Sequence, residues 1–286
     1  MKFFYKIALA SLLVLPMLSC TSTTKVASQF NTPEASVERP ASLSSLARST
    51  QRTSLDGLAF HVVNDETHLY VLVDFVSSRL YQNAREFGFS LYIDAPGAVK
   101  RSFGVTYPSG IYHHLGNYPG AQKGFLEEPN WTQFPENRAM QEMAERNSRQ
   151  NALLVQRRNR RDPMQPFSLP LGQLSAQSLH IYLEDDERTG RISFAIPLET
   201  GPTSQFTPDI QPGEKIDLGF EIDPIRLHDL SQRGGAPLIT SETASGTAQS
   251  DADQEERERL NRILQRIGDP YEEWVQVELA TAKADS

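Results

Sequence analysis

Two carboxylate clusters, six histidines and a run of aromatic rings are the groups in this chain that could do chemistry. Glu127-Glu128 and Asp185-Asp186-Glu187 are of the type that cleaves a glycosidic bond, which needs two carboxyl groups roughly 5 to 9.5 Å apart across a sugar. Spacing in sequence sets no such distance, and acidic hairpin tips are ordinarily just solvated. The same oxygens suit a hard cation, so Asp94, Asp185 and Asp186, with backbone carbonyls, are candidates for a structural calcium ion; no Asp-x-Asp-x-Asp-Gly loop accompanies them. The histidines are His61, His68, His113, His114, His180 and His228. None forms a His-Glu-x-x-His pair, and the single cysteine, Cys20, cannot build a Cys/His zinc set. His113-His114 has no third ligand nearby in sequence, and His180 sits mid-strand. Met140 and Met143 offer no spacing that pairs with a histidine across a haem. No Gly-x-Ser-x-Gly elbow, dinucleotide-binding glycine turn or phosphate loop occurs. What remains is recognition rather than turnover.

For recognition the aromatic residues matter most. Phe103, Tyr107, Tyr112, Tyr118, Phe125, Trp131 and Phe134 are interspersed with Gly and Pro in a stretch too long for a hairpin loop. Aromatic rings combine a large apolar face with a polar edge and can stack on a sugar. Tyr112, Tyr118 and Trp131 are therefore candidate ligand contacts, against the alternative of a self-packed loop filling a minor core. Trp274 joins them on different grounds. In its run it shares a face with Gln276 and Glu278 while Val275, Val277 and Leu279 share the other. The indole points to the polar side, where it is either covered by a neighbouring helix or open as a platform.

The elements that must hold these groups read mostly as strands. Leu58 to Val63 and His68 to Phe75 flank the polar tetrapeptide Asn64-Asp65-Glu66-Thr67, a hairpin pattern. Leu69, Val71 and Val73 fall on one face of the second run, Tyr70 and Leu72 on the other, which predicts a central strand. Further period-2 runs span Phe89 to Asp94, Ser102 to Tyr107, Leu179 to Glu184, Arg191 to Leu198, Ile216 to Ile222 and Trp274 to Ala280. The runs on either side of Asp185 to Gly190 read as a second hairpin. Two helices are predicted: Glu136 to Gln150, with a weak apolar stripe, and Gln254 to Ile267, with Leu260, Ile263, Leu264 and Ile267 on one side and Gly268 and Pro270 as stops. The expected fold is mainly β, an antiparallel β-sandwich, jelly-roll-like, with one or two peripheral helices. An aromatic-rich insertion occupies about 108–150, and a Gly, Ser, Thr and Ala-rich stretch, about 231–253, reads as a mobile loop.

The series LYVLVDF, GFSLYIDAPG and FGVTYP, with Ile222-Asp223-Pro224 later, resembles the sandwich of family 9 carbohydrate-binding modules and the related DOMON domains. The resemblance covers Gly57 to Tyr107 and, more loosely, Leu179 to Ile222. It implies a sandwich that binds a sugar or, in some members, a haem.

The N-terminus carries a separate message. Lys2 and Lys6 precede an apolar run from Ile7 to Leu18, signal-peptide length and short of the roughly 20 residues that span a bilayer. Met17-Leu18-Ser19-Cys20 resembles a bacterial lipobox, which implies removal of residues 1–19 and acylation, including palmitate-type chains, of Cys20. The alternative is an ordinary secretory signal that leaves one free thiol in an oxidising compartment. Residues 20–52 are Ser, Thr, Ala and Pro-rich and read as a flexible tether to the sandwich, 53–286. A strand around Ala41 to Leu46 is the alternative within it. Thr21 after the cysteine resembles the outer-membrane type of lipoprotein.

The charge is −8, and loss of Lys2 and Lys6 with the signal takes it to −10. An acidic balance disfavours nucleic acid as a partner. The one basic run, Arg157, Arg158, Arg160 and Arg161, reads as a solvated loop or strand end. The resulting expectation is an envelope lipoprotein, held to the membrane by its lipid, whose non-catalytic sandwich binds a glycan. The rival is an assembly lipoprotein that binds an envelope protein through its last helix and the stretch after Ser231. A hydrolase acting through Glu127 or Asp185 comes third.

Overall fold

A computed structural model describes residues 24–30, 50–162, 164–186, 188–222, 251–268 and 270–282. Cys20, the Ala41 to Leu46 stretch and most of 231–253 lie outside the described residues. Two sheets face each other across one apolar core, so the mainly β sandwich expected from the alternating runs is the observed architecture.

The seven-stranded sheet runs in the order β1 (Thr24–Ala27), β13 (Tyr271–Glu278), β12 (Lys215–Ile222), β6 (Ser90–Asp94), β7 (Phe103–Thr106), β8 (Asn151–Gln156) and β9 (Phe167–Pro170). The opposite sheet is ordered β10 (His180–Asp185), β11 (Gly190–Pro197), β5 (His68–Phe75), β4 (Leu58–Asn64) and β2 (Gln29–Phe30), with β3 (Thr53–Ser54) also on β4. Pairing is antiparallel except at β1 on β13 and β2 on β4. Both predicted hairpins form, β4 with β5 and β10 with β11.

The period-2 pattern works because successive strand side chains point to opposite faces. Leu69, Val71 and Val73 of β5 enter the main core, where Phe60 meets Phe220 of the facing sheet with ring centroids 4.8 Å apart. Tyr70 and Leu72 point outward into a small second cluster with Val63 and Ala195. β5 lies between β4 and β11, as its two apolar faces require.

Three features depart from expectation. Within the stretch expected as a tether, Thr24–Ala27 and Gln29–Phe30 are strands, because Val26, Ser28 and Phe30 alternate inward and two sheet edges are open to them. β8 and β9 were not expected; β8 follows its helix with no turn residue between. Helices are also more numerous. α1 (Ser78–Phe87) starts at Ser77, whose hydroxyl accepts the Leu80 amide proton at 3.3 Å, and ends at Gly88, φ 97°. It buries Tyr81, Ala84 and Phe87.

The aromatic insertion is a folded helical cap between β7 and β8: α2 (Ile111–Leu115), α3 (Ala121–Glu127), a 3-10 turn (Trp131–Gln133) and α4 (Pro135–Gln150). Short α5 (Leu171–Ser175) follows β9. The predicted last helix is α6 (Asp251–Ile267), ended by Gly268 at φ 71°. It packs on α3 through buried Ile263 and Ile267, with the Arg266 guanidinium 4.1 Å from the Phe125 ring centre and Arg259 2.9 Å from Glu127. Leu264 of its expected stripe stays exposed.

Candidate functional site

On the outer face of the seven-stranded sheet one row of directly opposed residues runs Trp274, Gly219, Tyr92, Gly104. Each aromatic side chain lies over its neighbour's glycine. A Cβ on Gly219 would stand 2.6 Å from the Trp274 ring, and one on Gly104 would stand 2.5 Å from Tyr92. Only a residue without a side chain lets the rings lie down on the sheet in this way. Their planes are inclined by 19° with centroids 6.3 Å apart, a nearly flat aromatic shelf in which Tyr92 is buried and the half-buried Trp274 is the accessible ring.

The turn between β6 and β7 drapes two cations over this shelf. Asp94 fixes the turn by accepting the amide protons of Arg101 at 2.8 Å and Ser102 at 2.6 Å, plus the Ser102 hydroxyl at 3.0 Å. Arg101 is thereby held at φ 59°, a conformation uncommon for a residue with a side chain. Its guanidinium lies 5.6 Å from the Tyr92 ring centre and pairs with Glu221 at 2.8 Å and Glu272 at 3.2 Å. The Lys100 ammonium sits 4.7 Å from the Trp274 ring centre and 2.9 Å from Glu272. The indole N–H donates to Glu272 at 2.8 Å. Bonds from Lys100 and Trp274, outweighing partial burial, hold the Glu272 carboxyl below the usual glutamate range.

Beside the shelf opens a cleft of about 550 Å³ lined by Trp274, Gln276, Asp217, Lys215, Lys100 and the 94–98 turn. Trp274 is half-buried and Asp217 exposed. A flat apolar ring flanked by a carboxylate, an amide and ammonium groups can stack a polar ring compound and hydrogen-bond its hydroxyls.

Of the residues singled out in the sequence, Trp274 and Asp94 meet here; the others do not. Trp131 is 5 % exposed, packed on Gly124 and edge-on to Phe125 at 6.0 Å. Tyr112 is half-buried with its ring 6.1 Å from Phe87, and the Tyr118 hydroxyl donates to the Met143 sulfur at 2.8 Å. Tyr112, Tyr118 and Trp131, weighed in the sequence as ligand contacts or as a self-packed loop, all lie in the helical cap: Trp131 is in its core, and Tyr112 and Tyr118 pack half-buried against it. The cap closes on itself because its four elements bury Phe125 and Trp131 against one another.

The candidate cation ligands are also apart. Asp94 serves the β6–β7 turn, while Asp185 and Asp186 sit on the β10–β11 hairpin. Burial pushes the Asp185 carboxyl up, but hydrogen bonds from Arg149 (2.7 and 3.1 Å) and Tyr81 bring it below the usual range. Asp186 accepts the amide protons of Arg188 and Thr189, which lower it too. Among the described residues no three His, Cys, Asp or Glu side chains group as a metal site would require. His114 bonds to Ser109 at 2.8 Å; burial, reinforced by His113, lowers it to about 4. Glu127 is tied to Arg259 on another element from Asp185.

Tyr92, Gly104, Gly219, Lys100 and Arg101 were missed in the sequence. The available signal was a glycine inside each of two strand runs, FGVT and KIDLGFEI, which marks a close approach.

No protein-family model matches the sequence, and no curated protein does. Among solved structures, the chain is similar to a family 9 carbohydrate-binding module from Caldicellulosiruptor kristjanssonii in complex with glucose, at 9% identity and TM-score 0.33, covering 70% of this chain and 78% of that one. The same module with cellotriose gives 8% identity, TM-score 0.33 and coverages of 70% and 76%. A Bacteroides uniformis ATCC 8492 protein named for carbohydrate binding gives 9%, 0.34, 70% and 84%. Likenesses at this level say nothing about a ligand for this chain.

Proposed function

We propose that this chain is a lipid-anchored envelope protein whose sandwich binds a glycan, without catalysis, at the Trp274 ring and the cleft beside it. The observation that carries the binding half is the half-buried Trp274 ring, laid over Gly219 and backed by the buried Tyr92, beside a cleft bearing Asp217, Gln276 and Lys215. Sugar rings present apolar C–H faces and a rim of hydroxyls, and that pairing of stacking surface with adjacent donors and acceptors is what the cleft offers. The anchoring half is supported by Lys2, Lys6, the Ile7 to Leu18 run and Ser19-Cys20.

The non-catalytic reading is supported by how the candidate acids are used. Glu127 and Asp185 each neutralise an arginine and stand on separate elements. The test is calorimetry of the mature protein with a panel of oligosaccharides. Binding that falls at least tenfold in Trp274→Ala, about 1.4 kcal/mol, and is kept in Phe134→Ala, supports the shelf. A protein that binds no sugar but co-purifies with an envelope protein through α6 supports the assembly role instead.

A further inference from the structure

The seven residues that open the described chain touch both sheets. Thr24–Ala27 pairs in parallel with Val275–Glu278 on the edge of one sheet, and Gln29–Phe30 pairs with Val63–Asn64 of the other. Between them Ser28 is locked. Its amide donates to Glu278 O at 3.0 Å, and its hydroxyl, with the Asn64 side-chain oxygen, accepts the Ala280 amide proton at 2.8 and 2.9 Å. Asn64 returns a bond to Ala280 O at 2.8 Å and is fully buried. A side chain with no solvent exposure that ties a β4 residue to the chain beyond β13 is a latch across the sandwich, and Ser28 closes it.

We infer that Thr24–Phe30 is a clasp that fixes the acylated N-terminus to the body, so that the sandwich lies against the bilayer instead of swinging on a leash. The inference rests on the anchoring half of the proposed function. Four residue steps separate Cys20 from Thr24, and a chain spans at most about 14 Å over them. Thr24 is the cross-strand partner of Val275, one strand spacing of about 4.8 Å away, next to Trp274. The lipidated cysteine therefore stays within roughly 20 Å of the shelf. A flexible chain from Cys20 to Arg52 would instead have a root-mean-square reach of about 30 Å and no fixed orientation.

The full lipidated chain tests this in vesicles of phosphatidylethanolamine and phosphatidylglycerol carrying an acceptor dye on a fraction of headgroups. Cys20 is the only native cysteine and its thiol is consumed by the lipid, so Gln276→Cys takes a donor dye at one place beside the shelf. Inserting 20 Gly/Ser residues between Thr23 and Thr24 is expected to lower energy transfer at least twofold, and Asn64→Ala to lower it by opening the latch. Transfer unchanged by the insertion overturns the inference, since a body already free on a long leash would not notice it. Hydrogen exchange on the detergent-solubilised full chain separates the two layers. Amides of 24–28 slowed at least 100-fold relative to an unstructured chain support the clasp, and exchange at coil rates overturns it with anchoring untouched. A chain that carries no lipid on Cys20 and fails to sediment with vesicles overturns the anchoring reading, and the distance to the membrane with it.

Discussion

Trp131 in the helical cap and Trp274 on the outer sheet face are packed alike on one side and differently on the other. Each lies over a glycine, Gly124 or Gly219, whose Cβ would collide with the indole. Trp131 also meets Phe125 in a perpendicular contact inside the cap, leaving 5 % exposed. Above Trp274 lie the exposed Lys100 ammonium and a cleft, and the ring stays half-buried. A glycine beneath a tryptophan therefore reports close packing, and what covers the ring decides whether it stabilises or binds.

Substitution separates the two most strongly. Trp131→Ala should cost about 3 to 5 kcal/mol, because it empties a site inside the cap. Trp274→Ala should cost far less and act on ligand affinity instead. Urea unfolding of both variants checks this, and equal losses would erase the distinction. Next in size, Gly219→Ala places a methyl group where the indole lies; it should lift the ring and lower stability by about 1 to 3 kcal/mol, with weaker glycan binding by calorimetry.

Lys100→Ala goes the other way. An exposed cation over an aromatic face contributes about 0.5 to 1 kcal/mol, which a stacking sugar must displace. Removing it should strengthen glycan binding about two- to fivefold, and weaker binding would mean that Lys100 contacts the ligand. The smallest effect is one of pH. Glu272 holds Lys100 and Arg101, and its depressed carboxyl keeps those contacts in full above the ordinary glutamate value of 4.5. They are lost as pH falls through its lower folded value. Acrylamide quenching of Trp274, followed in Trp131→Phe, should rise below that value, while that of Trp131, followed in Trp274→Phe, should not change.

Much of this contrast was legible beforehand in one half and not in the other. The alternation of Trp274 with Val275 and Val277 placed the indole on the polar face, and the fold confirms that side. The composition of 108–150 allowed either ligand-contacting rings or a self-packed loop, and Phe125 and Trp131 are buried as in the second, because α2, α3, α4 and the 3-10 turn supply partners to one another. Short helices of five to seven residues leave too few periods for a stripe to show in sequence. α1 escaped notice for a related reason, since its apolar Tyr81, Ala84 and Phe87 are spread over only ten residues.

By itself the sequence determined the strands with clear period-2 runs, and their faces, since alternation is imposed locally by backbone geometry and survives any tertiary arrangement. It also carries the N-terminal pattern on which the proposed acylation rests. Only the tertiary structure decided that Tyr92 and Trp274 lie in one row, that Asp94 serves a turn, and that Thr24–Phe30 joins two sheets. Those facts depend on which strands become neighbours, and strands distant in the chain are brought together by the burial of a shared core, which no local pattern records.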